Sequence, residues 1–263
     1  MKLFVFDVDG TLVTRTQRLR RMTIESLNKL LDKGHAIAIA SGRPFSGIKK
    51  YLDLLHDGNK FAICANGASL VKYDGTILYE LTIELNLLFK LHEKYLNYIK
   101  NYGAGLYCYI KDEIGYLEYT KWIRNEVVAN KIKAYNLNKI DINFNNIYKI
   151  MFAINCEISS NFKFDQEIYE KYHVVRSSPL FLEIVNKDCD KVYGVRKLVD
   201  YLGINKIDVY TFGDSGNDLL MIKEFNGVAM DNALEKVKEV SKIITKSCSE
   251  DGVSFALNHL INL

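Results

Sequence analysis

The sequence predicts an α/β protein built on an open, mostly parallel sheet and interrupted by an α+β module. Three observations carry that reading. Short apolar runs of strand formers alternate with helical periods at both ends of the chain. Several of these strands end directly in acids, hydroxyls and glycines. Between residues 82 and 184 the texture changes to aromatic strands mixed with helices, and no strand there ends in an acid motif.

The first strand, Lys2-Leu3-Phe4-Val5-Phe6, runs into Asp7-Val8-Asp9-Gly10-Thr11-Leu12. A run this short, ended by Asp and Gly, reads as a buried parallel strand entering a turn. Open α/β sheets bind ligands at the carboxyl ends of their strands, so Asp7 and Asp9 fall where such a fold does its chemistry. Carboxylates so close repel, and one is driven toward its protonated form unless a cation shares the site. The plainer alternative is a polar exit turn.

Thr14 to Met22 is polar and basic, with Arg15, Arg18, Arg20 and Arg21, and is expected to be a solvated loop. A helical period follows over Thr23 to Leu31, closed by Gly34. A second strand, His35 to Ala40, ends at Ser41-Gly42-Arg43-Pro44. Pro44 suits the first turn of a helix whose N-terminus is left open to an anion, although Ser41 also suits a simple cap. Phe61 to Ala68 is a third strand and turn containing Asn66-Gly67, and Ser69 to Tyr79 reads as a hairpin around Asp74-Gly75.

In the middle of the chain one long amphipathic helix is expected from Glu84 to Tyr102. Strands are expected at Leu106 to Ile110, Gly115 to Tyr119, Lys149 to Ile154 and Phe181 to Val185, with a helix around Phe164 to Tyr172. Tyr107, Tyr109, Tyr116 and Trp122 are expected to form this module's own core. The α/β texture then returns. Asp190 to Gly203 is helical with Lys191 in its first turn, and Lys206 to Phe212 is a strand delivering Gly213-Asp214-Ser215-Gly216-Asn217-Asp218. Gly227 to Met230 and Lys242 to Thr245 read as short edge-like strands, and Val253 to Ile261 as a closing helix. A structural turn after Phe212 needs glycines but has no need of Asp214, Asn217 and Asp218 together. Four carboxylates at the ends of two strands are hard oxygen donors of the kind that suit Mg²⁺.

The totals exclude several classes. With 263 residues, 48% hydrophobic and 25% charged, the chain can bury a large core. A net charge of +3 with no long basic run gives no reason to expect a nucleic-acid partner. Cys64, Cys108, Cys156, Cys189 and Cys248 are dispersed and odd in number, which fits a reducing cytoplasm better than a disulfide framework. No leader and no membrane-spanning run is expected. His35, His56, His92, His173 and His259 sit in no motif.

Taken in order, Asp7-x-Asp9, Ser41, Lys191 and Gly213-Asp214 with Asn217-Asp218 resemble the four motifs of the haloacid dehalogenase (HAD) superfamily. Asn66-Gly67, Glu183-Ile184, Val228 to Ala233 and Glu250-Asp251-Gly252-Val253 resemble its Cof-type, or IIB, branch. Val192 and Asp231 stand where that branch usually has glycine. The resemblance implies a Rossmann-like doubly wound core over residues 1–81 and 185–263, with a C2B-type α+β cap over 82–184. It implies a cytoplasmic Mg²⁺-dependent phosphatase of small phosphorylated metabolites such as sugar phosphates, and a monomer or weak dimer.

The roles it implies are specific. Asp7 attacks phosphorus, while Asp9 protonates the leaving oxygen and then activates water. Asp7, the main-chain carbonyl of Asp9, and Asp214 hold the metal, with Asp218 orienting them. Ser41, Lys191 and Asn217 bind the phosphoryl group, and Gly42, Arg43 and Asn66 lie near the substrate. Two alternatives stay open: a phosphomutase-type phosphotransferase, and a catalytically silent phosphometabolite-binding protein.

Overall fold

A computed structural model describes residues 1–14, 16–155 and 161–259; Arg15, Cys156 and positions 260–261 of the expected closing helix lie outside the described residues. The chain divides into two compact units. One comprises Met1–Arg43, Ile48–Tyr79 and Asp190–Leu263, and the other Pro44–Gly47 and Glu80–Cys189.

The chain begins with β1 (Leu3–Phe6), α1 (Arg21–Asp32), β2 (Ala36–Ala40), α2 (Phe45–Leu52), β3 (Asn59–Cys64), β4 (Ser69–Lys72) and β5 (Ile77–Glu80). Next come β6 (Ile83–Glu84), α3 (Asn86–Lys94), α4 (Leu96–Tyr102), β7 (Gly105–Ile110), β8 (Glu113–Tyr116), α5 (Lys121–Asn130) and β9 (Ala134–Asn136). The second unit continues with β10 (Asn146–Ile147), β11 (Lys149–Ala153), α6 (Gln166–Lys171), β12 (His173–Ser178) and β13 (Phe181–Val185). The chain closes with α7 (Lys191–Leu202), β14 (Val209–Gly213), α8 (Leu219–Glu224), β15 (Asn226–Ala229), α9 (Glu235–Val240), β16 (Ile243–Ile244) and α10 (Gly252–His259).

Among the described residues the first unit is built on a sheet of order β16-β15-β14-β1-β2-β3-β4-β5. It is parallel from β16 to β3 and turns antiparallel at β4. All four residues of β1 are fully buried, as an interior parallel strand covered on both faces requires. From β1 the chain winds outward one way through β2 and β3 and later the other way through β14, β15 and β16. The order therefore reverses at β1 and β14, which is where a ligand crevice forms in such sheets. Leu3, Val5, Ala38, Ile63 and Val209 pack with Val192, Val195 and Leu198 of α7 in one core cluster. Val192, the departure from the family's glycine, is thus a core residue.

In the second unit a sheet of order β12-β13-β11-β7-β8-β9 lays Leu106, Cys108, Ile150, Phe152, Leu182 and Ile184 against Leu88 and Leu91 of α3 and Ile99 of α4. Strand alternation turns Tyr107, Tyr109, Lys149 and Glu183 to the other face. There Lys149 pairs with Glu183 at 2.9 Å and lies 4.7 Å from the Tyr109 ring centroid.

Three sequence expectations are corrected. Glu84 to Tyr102 is not one helix: Glu84 belongs to β6, and α3 and α4 are separated at Tyr95, with φ −103° and ψ 20°. The Tyr95 ring meets Phe162 and Phe164 edge-on at 5.5 and 5.4 Å, and its hydroxyl donates to Asp165, so tertiary packing outweighs the continuing helical period. Lys206–Asp208 forms a 3-10 turn, and β14 starts only at Val209. Finally, β15 is no edge strand, because β14 and β16 flank it and Val228 and Ala229 are fully buried.

Candidate active site

The parallel register sets Phe6 of β1 beside Phe212 of β14, and the Asp7 amide continues the ladder by donating to the Phe212 carbonyl at 3.0 Å. Asp7 and the Gly213-Asp214 turn therefore leave the sheet side by side. On the other flank Phe6 pairs with Ile39 of β2, and the Ser41 amide donates to the Ile63 carbonyl at 2.9 Å. Ser41 is buried at this carboxyl edge, and its Oγ accepts from the Arg43 amide at 3.3 Å.

Lys191 arrives as the first residue of α7, whose N-terminus Asp190 caps by accepting from the Tyr193 amide at 2.6 Å. The Asn66-Gly67 turn lies against that N-terminus. Gly67 has φ +102°, and a Cβ there would stand 2.0 Å from the Asp190 carbonyl oxygen, so only glycine allows this approach. Asn66 holds a left-handed φ of 57°, which asparagine tolerates, and accepts from Asn217 Nδ2 at 3.1 Å. Gly42 rests against the Asn66 side chain, where a Cβ would come within 3.2 Å of Nδ2.

Asp7, Asp214 and Asp218 each bring a carboxylate oxygen within 4.8 Å of the others. Lys191 Nζ is fully buried among them and donates to Asp7 Oδ1 at 2.5 Å and to Asp218 Oδ1 at 2.7 Å. Burial opposes its charge, yet the Asp218 and Asp7 carboxylates hold the ammonium above its ordinary range. One cation does not neutralise three acids. Burial and then the Asp218 charge push the Asp7 carboxyl well above the usual carboxylate range, against the pull of Lys191. The same two causes push Asp214 up to about 6.

This excess of buried negative charge on hard oxygen donors, with no histidine or cysteine in the trio, fits a divalent cation of the Mg²⁺ kind. The donors are not equivalent. Asp218 Oδ2 accepts from the Asp214 and Ser215 amides at 3.1 and 3.0 Å, and its Oδ1 from Lys191, so hydrogen bonds already engage both its oxygens. Asp7 and Asp214 are the better-placed ligands, with Asp218 fixing the turn and the lysine. Thr11 and Asn232, to which the sequence assigned no role, donate to Asp214 at 3.1 and 3.5 Å. Thr11 lay in plain view within the first motif.

The Asp9 side chain stands outside this trio. Arg43 grips it with Nε on Oδ2 at 3.1 Å and Nη2 on Oδ1 at 2.8 Å, and Gln17 Nε2 donates to Oδ1 at 2.7 Å. Burial works against the charged form, but these bonds outweigh it and hold the Asp9 carboxyl below its ordinary range. Lys187, the other lysine near the third motif, donates instead to the Glu170 carbonyl within the second unit.

The family model for haloacid dehalogenase-like hydrolases matches residues 4–257. The chain belongs to that family. It is 31% identical to YxeH of Bacillus subtilis (strain 168), a provisionally assigned phosphatase, over 99% of this chain and 98% of that protein. A haloacid dehalogenase-like hydrolase from Bacteroides thetaiotaomicron superposes with a TM-score of 0.86 at 27% identity, covering 99% of each chain. The HAD subclass IIB sugar phosphatase BT4131 shares the fold, with a TM-score of 0.78 at 24% identity over 99% of both chains.

Proposed function

We propose that this chain, a HAD-family phosphatase, hydrolyses phosphate monoesters of small metabolites, sugar phosphates foremost, through an aspartyl-phosphate on Asp7. The observation that carries the reading is the buried Asp7 carboxylate at the switch point of the sheet, set against Lys191 and flanked by Asp214 and Asp218. The sugar-phosphate class is drawn from the IIB sugar phosphatase that shares this fold.

A phosphate monoester is a dianion and repels a carboxylate nucleophile until its charge is offset. Lys191 supplies one positive charge there, and Ser41 Oγ and the Asn217 amide supply donors for phosphoryl oxygens. Mg²⁺ held by Asp7, Asp214 and the Asp9 carbonyl would add the remaining charge stabilisation. Asp7 Oδ attacks phosphorus as the ester P–O bond breaks, and Asp9 gives a proton to the departing oxygen. Asp9 then takes a proton from the water that cleaves the acyl phosphate, which returns free Asp7 and inorganic phosphate. The inserted unit, which carries none of these acids, is assigned the choice of substrate.

The test is a panel of phosphorylated metabolites incubated with Mg²⁺, scored for inorganic phosphate, with mass spectrometry of acid-quenched enzyme. Phosphate release together with a phosphoryl adduct on the Asp7 peptide is expected. An isomeric ester in place of free phosphate would make the protein a phosphotransferase, and no turnover on any ester would leave it a binding protein.

A further inference from the structure

We propose that Gln17, backed by Tyr51, is a positioning residue that orients the Asp9 carboxylate for proton transfer. The inference rests on the assignment of Asp9 as the acid for the leaving oxygen.

Gln17 lies in the polar stretch that the sequence marks only as a solvated loop. Its backbone has φ 58°, a left-handed conformation that is strained for a non-glycine residue, and its amide closes a turn on the Thr14 carbonyl at 3.0 Å. That turn aims the side chain at Asp9, eight residues back. The carboxamide orientation is fixed by its partners. Oε1 accepts from Arg43 Nη2 at 2.5 Å and from Tyr51 Oη at 3.1 Å, while Nε2 donates to Asp9 Oδ1 at 2.7 Å. A flipped amide would point N–H groups at a guanidinium and a carbonyl oxygen at a carboxylate, so a single orientation satisfies all three neighbours.

The consequence falls on Asp9. A carboxylate oxygen offers two acceptor sites. Oδ1 receives Gln17 Nε2 and Arg43 Nη2, which fill it. Oδ2 likewise receives two donors, Arg43 Nε at 3.1 Å and Arg43 Nη2 at 3.0 Å, so Gln17 holds the carboxylate from a side chain other than the guanidinium. Together the two side chains engage both oxygens and fix the plane of the Asp9 carboxylate. In the first step an Asp9 carboxyl O–H bond breaks and its proton passes to the ester oxygen as that oxygen leaves phosphorus and Asp7 bonds to phosphorus. Without Gln17 the carboxylate keeps only the Arg43 contacts and loses the donor that fixes Oδ1 from the other side. Tyr51 holds Gln17 from behind: its side chain is buried in the core, whereas Gln17 is exposed, so the hydroxyl is the anchored end of the chain Tyr51–Gln17–Asp9.

The effect separates from a structural one by leaving group. An alkoxide must be protonated as it departs, whereas p-nitrophenolate is stable without a proton. The full chain and Gln17→Met, which keeps the side-chain length without the amide, are compared on a hexose 6-phosphate and on p-nitrophenyl phosphate with Mg²⁺. The parameter read is kcat/KM, which reports the steps through phosphoryl transfer to Asp7. A loss of about tenfold to a hundredfold on the hexose ester and under about threefold on the aryl ester is expected, given that general acids contribute about 10² or more. Tyr51→Phe is expected to lose activity in the same leaving-group-dependent pattern, by about two- to fivefold. Equal losses on the two esters, or no loss on the hexose ester, would overturn the proposal. Asp7→Asn run alongside separates the two readings, because turnover by that variant would strike the phosphatase mechanism and not Gln17.

Discussion

Lys191 Nζ and Asp7 Oδ1 lie 2.5 Å apart although 184 positions separate the residues, and the lysine side chain is wholly shielded from solvent. A buried ion pair loses far more when one partner is removed than the pair contributes net. Lys191→Met leaves Asp7, Asp214 and Asp218 without their ammonium. We expect about 3–5 kcal/mol of destabilisation near neutral pH in EDTA, measured by urea unfolding. Carboxyls raised in the folded state bind more protons there than when unfolded, so the variant regains stability as pH falls through their folded values. A midpoint equal to wild type near neutral pH would show that the lysine carries no such burden.

Asp7→Asn makes the opposite trade. Turnover should fall by at least about three orders of magnitude, since the proposed nucleophile is gone. In metal-free buffer the variant should melt at or above the wild-type temperature, because one of three mutually repelling acids is neutral while Lys191 keeps Asp218. Phosphate release near the wild-type rate would remove Asp7 from the reaction.

Mg²⁺ and protons should compete at the acid trio. Asp214, pushed up to about 6 by burial and Asp218, binds protons in the folded protein over a range where the unfolded chain has already lost them. Its share of stability is therefore present in acid and declines as pH rises through about 6, where the proposed divalent cation would take the proton's place. The rise in melting temperature from saturating Mg²⁺ should be clear near neutral pH and small near pH 5. A rise of the same size at both pH values would place the metal elsewhere.

Gly10→Ala tests the geometry of one proposed ligand without changing any charge. Gly10 has φ +89°, and an added Cβ would stand 2.3 Å from Asp214 Oδ2. The substitution should cost about 1–3 kcal/mol and displace that carboxylate, so that Mg²⁺ no longer raises the melting temperature. Undiminished Mg²⁺ stabilisation in a folded variant would exclude Asp214 as a ligand.

The parts of this protein that were legible in its sequence are those written in consecutive residues. β1 with Asp7, and β14 with Asp214 to Asp218, each announce a strand, a turn and acids within a dozen positions, and the sheet fixes how such strand ends align. Lys191 was legible because Asp190 and Gly203 mark the ends of its helix. Gln17 was not: its role exists only because a left-handed residue bends it back to Asp9 and because Arg43 and Tyr51 meet it from 26 and 34 positions away. The break at Tyr95 was hidden for a similar reason, since the helical period runs on through a tyrosine whose ring is claimed by Phe162 and Phe164. Arg43 was placed beside the substrate by its motif, and its pairing with Asp9 needed the third dimension.

The position of β1 between β2 and β14 also sets a timetable. A ribosome releases β1 and β2 early, but the strand on the other flank, beginning at Val209, is made some two hundred codons after Leu3. Until then the Leu3–Phe6 ribbon, all apolar, has an open side, the kind of edge that recruits stray chains. Closing so long a loop is slow, and the nascent chain depends on late-arriving segments for Lys191, Asp214 and Asp218 alike. A message cut short before Val209 would therefore yield a sticky fragment that holds Asp7 and Lys191 but lacks Asp214 and Asp218.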